Sequence, residues 1–191
     1  NETPTNFFER LRQRQASIGS TLCIGLDPDL SRIPKACKMS SRPIFEFNKA
    51  IIDATIDLAA CYKPQIAHYA SEAAEDELMA TIEYLKNHNV PVLLDAKRGD
   101  VGSTAEMYAR EVFERYAADA TTVNPYLGKD AMDPYLDYTD RGVFILCRTS
   151  NPGGSDLQNL LLKGGLTLYE HVATQARDDW NTNNNVGLVV G

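Results

Sequence analysis

The sequence is short of the features that would place it in several large functional classes. Its four cysteines, Cys23, Cys37, Cys61 and Cys147, form no C-x-x-C pair, and three of them lie in apolar runs that read as buried strands. That pattern argues against a zinc or disulfide framework and fits reduced core thiols. The three histidines, His68, His88 and His171, are scattered without metal-ligand spacing. No apolar run approaches the ~20 residues a membrane-spanning helix needs. The opening residues 1–6 are polar and carry no signal-peptide pattern, which leaves the cytoplasm as the default compartment. Positive charge is scarce: 19 Lys and Arg stand against 26 Asp and Glu, a net charge of −7. Wholesale binding to nucleic acid or to an acidic membrane is therefore disfavoured. An anionic small molecule would need a local cationic pocket. No G-x-G-x-x-G follows an early strand, which lowers the case for a dinucleotide-binding fold.

What remains is an ordinary globular composition. The chain has 191 residues, 43% hydrophobic and 24% charged, enough for one domain with its own core. Strand-like apolar runs occur at residues 21–26, 61–66, 91–94, 120–123, 142–147 and 186–190. Each is short and nearly continuous, as expected of parallel strands buried on both faces. Between them run amphipathic stretches, with apolar stripes at Phe47, Ile51 and Leu58, at Leu78, Ile82 and Leu85, and at Tyr108, Val112 and Tyr116. Ser41 with Pro43 reads as a helix start. Asn-Pro at 124–125, Asn-Pro-Gly-Gly at 151–154 and Lys-Gly-Gly at 163–165 punctuate loops.

This alternation predicts an α/β protein with a parallel sheet and right-handed crossovers. Polar residues fall at the C-terminal ends of several different strands: Asp27, Lys63, Asp95, Lys97, Asn124 and Ser150. Reactive groups gathered from many strand ends favour a (β/α)8 TIM barrel over an open doubly wound sheet. Such a barrel usually takes ~250 residues, so residues 1–191 are expected to form a single barrel domain with about six of the eight βα units, lacking the last two.

The chemistry concentrates in Leu94-Asp95-Ala96-Lys97-Arg98-Gly99-Asp100. Alternate strand residues share a face, so Asp95 and Lys97 are expected to project together into the barrel mouth, with Asp100 just past the strand end. A lysine between two carboxylates stays protonated, because each negative charge favours the ammonium. Lys63, on the second strand, would add another cation. An ion-pair ladder of purely structural use has the same composition; the position at the C-terminal end of a βα strand favours function.

The run Asp95-Ala96-Lys97-Arg98-Gly99-Asp100-Val101-Gly102-Ser103-Thr104 resembles the D-x-K-x-x-D-I-x-x-T signature of the orotidine monophosphate decarboxylase family. Cys23-Ile24-Gly25-Leu26-Asp27-Pro28-Asp29 and Tyr62-Lys63-Pro64-Gln65 resemble its first- and second-strand segments. Val123-Asn124-Pro125-Tyr126-Leu127-Gly128, Arg148-Thr149-Ser150-Asn151-Pro152-Gly153 and Gly164-Gly165-Leu166-Thr167-Leu168-Tyr169-Glu170 are similar to the longer bacterial subgroup. The likeness runs from about residue 20 to the last residue, with its motifs in order.

The resemblance implies decarboxylation of orotidine 5′-monophosphate to UMP in pyrimidine biosynthesis, without metal or organic cofactor. It implies that Lys97 donates the proton to C6, and that Asp95 destabilises the substrate carboxylate. Lys63 and Asp27 would hold ribose hydroxyls, and Gln65 would touch the same side. Ser150 would bond the pyrimidine edge, with Thr149 beside it. Asp100 and Thr104 match positions that cross a homodimer interface into the partner's site. The family's phosphate is held by loops after the seventh and eighth strands, with a glycine-rich segment and an arginine. These 191 residues show neither, so as they stand they are expected to be nearly inactive.

Three alternatives remain. A magnesium-dependent sugar-phosphate decarboxylase or hexulose-phosphate synthase of the same suprafamily also carries D-x-K-x-x-D, but places an acidic metal ligand where this chain has Lys63. A Schiff-base aldolase needs a lysine that can lose its proton, to which Lys97 between two aspartates is poorly suited. A non-catalytic nucleotide-binding fragment is the third.

Overall fold

The structure, a computed structural model, describes residues 6–191; residues 1–5 of the polar opening stretch lie outside the described residues. The chain alternates strands and helices in the order α1 (Phe7–Ile18), β1 (Leu22–Leu26), α2 (Lys35–Lys38), α3 (Pro43–Thr55), β2 (Ala59–Pro64), α4 (Ala67–Ala70), α5 (Glu75–Asn87), β3 (Leu93–Arg98), α6 (Gly102–Arg110), β4 (Ala120–Val123), α7 (Lys129–Leu136), β5 (Gly142–Arg148), α8 (Leu168–Gln175) and β6 (Val186–Val190). α6 and α8 each run on into a single wider π turn, Glu111–Arg115 and Ala176–Trp180.

All paired strands are parallel. β1 pairs with β2, and β3, β4, β5 and β6 pair in that order. Two isolated parallel bridges, Tyr62↔Val92 and Gln65↔Asp95, join β2 to β3. The spatial order therefore follows the sequence from β1 to β6, with no reversal point. That is the wall of a (β/α) barrel rather than a doubly wound sheet. Among the described residues β1 and β6 each have one strand neighbour, so the barrel is partial.

Strand parity sorts the core into two layers. Tyr62, Val92, Leu94, Val143 and Ile145 face outward into one large cluster with Ile52, Leu78, Ile82, Leu85, Val112, Met132 and Tyr135 from the helices. Cys61, Leu93 and Ala120 face inward and meet Phe7, with Phe8, Leu11 and Phe144 packed against them. α1 supplies this plug. A capping box between Asn6 and Glu9 starts the helix, and Gly19, left-handed at φ 64°, ends it. Gly142 permits the close approach of Phe7, because a Cβ there would collide with the phenyl ring.

The stripes of α5 and α6 are buried much as the sequence predicts, with Tyr108 half-buried. The stripe expected on α3 is displaced by one residue. The buried positions are Ile44, Asn48 and Ile52, while Leu58 lies past the helix and is 58% exposed. The cause is a buried asparagine: Asn48 Nδ2 donates to Tyr69 Oη (2.9 Å) and Thr81 Oγ1 (3.1 Å). Hydrogen bonding admits a polar group to the core that an apolar pattern cannot anticipate. The helix begins at Pro43 with Arg42, not Ser41, as its N-cap.

Candidate active site

The inward parity that places Cys61 and Leu93 in the plug places Lys63, Asp95 and Thr122 above it, at the C-terminal ends of β2, β3 and β4. Asp95 is the centre of the cluster and is 4% exposed. Lys97 Nζ lies 2.7 Å from each of its carboxylate oxygens, and Lys63 Nζ lies 3.3 Å from Oδ2. Thr122 Oγ1 donates to Oδ1 at 2.7 Å. Burial pushes the Asp95 carboxyl up, but hydrogen bonds from Lys97 and Thr122 and the charges of Lys97 and Lys63 outweigh it. The net shift is downward, so the group is an anion at neutral pH.

The backbone reaches this arrangement by an irregular route. Lys97 has φ +46°, the left-handed region that a non-glycine residue rarely occupies. The β3–β4 register shifts between Leu94 and Arg98, as at a bulge. Ala96 and Lys97 direct their amides at the Thr122 side chain, Oγ1 (3.1 and 2.9 Å), instead of at a backbone carbonyl of β4. Beyond the bulge, Arg98 bonds Glu111 through Nε (3.1 Å) and Nη2 (2.8 Å), and its guanidinium lies 4.6 Å from the Tyr108 ring centre. This clamp holds the turn at 99–101 against α6.

The remaining predicted residues lie around this cluster at different distances. Asp27 follows β1 directly and is exposed. Its segment is tied down from beneath, where Tyr69 Oη donates to the Leu26 carbonyl (3.0 Å) and His68 Nδ1 lies 3.1 Å from the Pro28 carbonyl. Gln65 pairs with Asp95 through the backbone, but its Oε1 accepts from Ala67 N at 2.6 Å. Its side chain thus opens α4 rather than joining the charged cluster. Asp100 does not flank Lys97 within the chain: its Oδ1 accepts from Val101 N at 2.8 Å. The expected lysine between two carboxylates is instead a carboxylate between two lysines, because the bulge turns the chain away before Asp100. Thr104 is exposed on the first turn of α6, beside a shallow groove shared with Met107, Tyr108 and Glu111. Thr149 Oγ1 accepts from Gln158 Nε2 (2.8 Å), and Gln158 Oε1 accepts from Thr149 N (2.9 Å). Ser150 is exposed, and the end of β6 approaches it so closely that a Cβ at Gly191 would lie 2.9 Å from Ser150 Cβ.

Sequence reading did not single out Thr122 or Gln158. Thr122 could have been found by parity, since it lies two residues beyond inward-facing Ala120 on the strand beside Asp95. Gln158 sits in a loop whose fold no local pattern fixes. Among the described residues no group of three or more His, Cys, Asp or Glu is placed to hold a metal ion, and no helix is long and apolar enough to cross a membrane.

Charged side chains from successive parallel strands, converging at the strand C-termini, define a (β/α)-barrel enzyme site. Residues 20–191 match the Orotidine 5'-phosphate decarboxylase / HUMPS family, and the chain belongs to that family. It is 56% identical over 188 residues to the orotidine 5'-phosphate decarboxylase of Azoarcus sp. (strain BH72), covering 97% of this chain and 69% of that protein. It is 55% identical over 190 residues to that of Cellvibrio japonicus (strain Ueda107), with the same coverage. The solved structure of Leishmania donovani OMP decarboxylase superposes with a TM-score of 0.87 at 40% identity, covering 98% of this chain and 71% of that one.

Proposed function

We propose that the protein decarboxylates orotidine 5′-monophosphate to UMP and CO₂ in pyrimidine biosynthesis, with Lys97 as the proton donor. Family membership supports the reaction. The observation that supports the roles is the buried anion of Asp95 held between the ammonium groups of Lys97 and Lys63. The substrate carboxylate is set against Asp95, so its charge is repelled in the ground state. The bond from C6 to the carboxylate carbon breaks, CO₂ departs, and the electron pair stays on C6. Lys97 stabilises that developing carbanion electrostatically and then delivers its proton to C6. Repulsion is relieved and attraction grows along the same coordinate, so binding is strongest in the transition state.

In this reading Lys63 and Asp27 hold the ribose hydroxyls, with Gln65 contributing near the same rim. Ser150 bonds the pyrimidine edge, and Thr149, fixed by Gln158, positions the loop that carries it. Asp100 and Thr104 face outward to complete the site of a second copy, and the enzyme works as a homodimer in the cytoplasm. No metal is used: a magnesium-dependent relative needs an acidic ligand where Lys63 already neutralises Asp95.

The test is incubation of the full-length protein with orotidine 5′-monophosphate, following UMP formation and CO₂ release. Stoichiometric formation of both is expected. Failure to form UMP from this substrate, with turnover of a sugar phosphate in the presence of magnesium, would overturn the reading.

A further inference from the structure

We propose that Thr122 is a positioning residue for the Lys97–Asp95 pair, a role that rests on the reading of Lys97 as proton donor. The hydroxyl of Thr122 is 3% exposed at the level of the residue, and it has no unused valence. Its two lone pairs accept the amides of Ala96 (3.1 Å) and Lys97 (2.9 Å). A threonine hydroxyl has one proton and two acceptor sites. With both acceptor sites filled by backbone donors from β3, the proton is directed at Asp95 Oδ1, 2.7 Å away.

Each of these bonds constrains a different part of the site. The two accepted amides belong to the bulge, where the β3–β4 ladder is interrupted between Leu94 and Arg98. Without an acceptor the buried amide of Ala96 and the half-buried amide of Lys97 would be unpaired, which the fold avoids by other backbone conformations. The hydroxyl therefore stabilises the left-handed Lys97, whose φ is +46°. The donated bond fixes the plane of the Asp95 carboxylate, and so sets where an ammonium can lie equidistant from both oxygens. Lys97 Nζ is found there, 2.7 Å from each. Among the described residues the groups facing Asp95 are Lys63 from β2, Lys97 from its own strand and Thr122 from β4, and of these Thr122 alone contacts both the carboxylate and the backbone that carries the lysine.

The chemistry assigns separate consequences to the hydroxyl and the methyl. Thr122→Val keeps the shape and removes the hydroxyl. Thr122→Ser keeps the hydroxyl and removes only the methyl. The experiment measures kcat, KM, calorimetric UMP affinity and the Asp95 carboxyl titration by carbon NMR, in full-length protein. For Thr122→Val, kcat is expected to fall roughly ten- to a hundredfold, the loss of one hydrogen bond to a charged group. UMP affinity should stay near wild type, and the Asp95 titration should move upward. Thr122→Ser should match wild type in all readings.

Equal loss of kcat in the Ser and Val variants would overturn the proposal, because packing would then be the cause. An unchanged kcat and Asp95 titration in Thr122→Val would overturn it as well. Should the Val variant not fold, the Ser variant still decides, since a lowered kcat or a displaced titration there contradicts the role. If wild-type protein does not turn over orotidine 5′-monophosphate, the functional reading fails while the Asp95 titration still tests the positioning.

Discussion

Lys97 Nζ lies 2.7 Å from both carboxylate oxygens of Asp95, a symmetric seat on a buried anion. Lys63 approaches the same carboxylate from the neighbouring strand at 3.3 Å. Within this three-residue cluster two cations and one anion leave one positive charge, in a chain whose net charge is −7. The site is thus a local exception to the field of the whole molecule, suited to an anionic substrate.

This balance makes the first prediction. Because Lys63 already neutralises Asp95, exhaustive treatment with EDTA should leave decarboxylation by the full-length protein unchanged. Activity that is lost on chelation and restored by magnesium would favour the sugar-phosphate chemistry of the wider family.

The lowered pKa of Asp95 predicts an acid limb in stability. The folded-state value lies below the unfolded one of about 3.9. The stabilisation from the ionised pair is therefore complete above about pH 4, and is lost as pH falls from there towards the folded-state value. Urea unfolding at a series of pH values should show Asp95→Asn less stable than wild type at neutral pH, with the gap narrowing below about pH 4. A gap independent of pH would mean the charge of Asp95 does not contribute.

The plug beneath the site predicts a steric effect. In Gly142→Ala the new methyl meets the Phe7 ring and lies 3.0 Å from Ala120 Cβ. Overpacking of this kind costs roughly 1–3 kcal/mol. Equilibrium denaturation should show a loss in that range, and a neutral variant would mean that α1 shifts freely against β5.

Much of this arrangement is legible in the sequence. The six strands and their sequential parallel order follow from short apolar runs separated by amphipathic stretches, but burial on both faces holds only for the inner strands. On β1 Leu22 and Cys23 are exposed, and on β6 Val190 is, because each of these strands has one neighbour among the described residues. Lys63, Asp95 and Lys97 were placed together by position at strand ends, and they do converge. The bulge at Lys97 was not legible, since regular alternation also puts Asp95 and Lys97 on one face. Its cause is a hydroxyl on another strand, 25 residues away. Asp100, expected beside Lys97, turns its carboxylate to its own chain, where Oδ1 accepts from Val101 N at 2.8 Å. The stripe of α3 was displaced because Asn48, polar in isolation, is a core residue once Tyr69 and Thr81 are beside it.

The position of Asp100 just past the end of β3 and the exposure of Thr104 on the first turn of α6 predict shared sites in a homodimer. Asp100→Asn and Lys97→Ala proteins, each inactive alone, should regain part of the activity when mixed, because some heterodimers carry one intact site. Absence of complementation, with subunit exchange confirmed independently, would assign both residues to a single chain's own site.

The central claim is that Lys97 acts on the transition state rather than on the bound nucleotide. Removing it should abolish turnover far more than it weakens UMP binding, because UMP presents no developing charge at C6. Asp95 then keeps only Lys63 as its cationic partner, so a modest change in UMP affinity is compatible with the claim. The direct measurement is kcat/KM for orotidine 5′-monophosphate and calorimetric UMP affinity on the same folded, full-length Lys97→Ala protein. The account predicts a fall in kcat/KM larger by several orders of magnitude than the fall in affinity. A similar factor in both would show that Lys97 is a binding residue and that the proton comes from elsewhere.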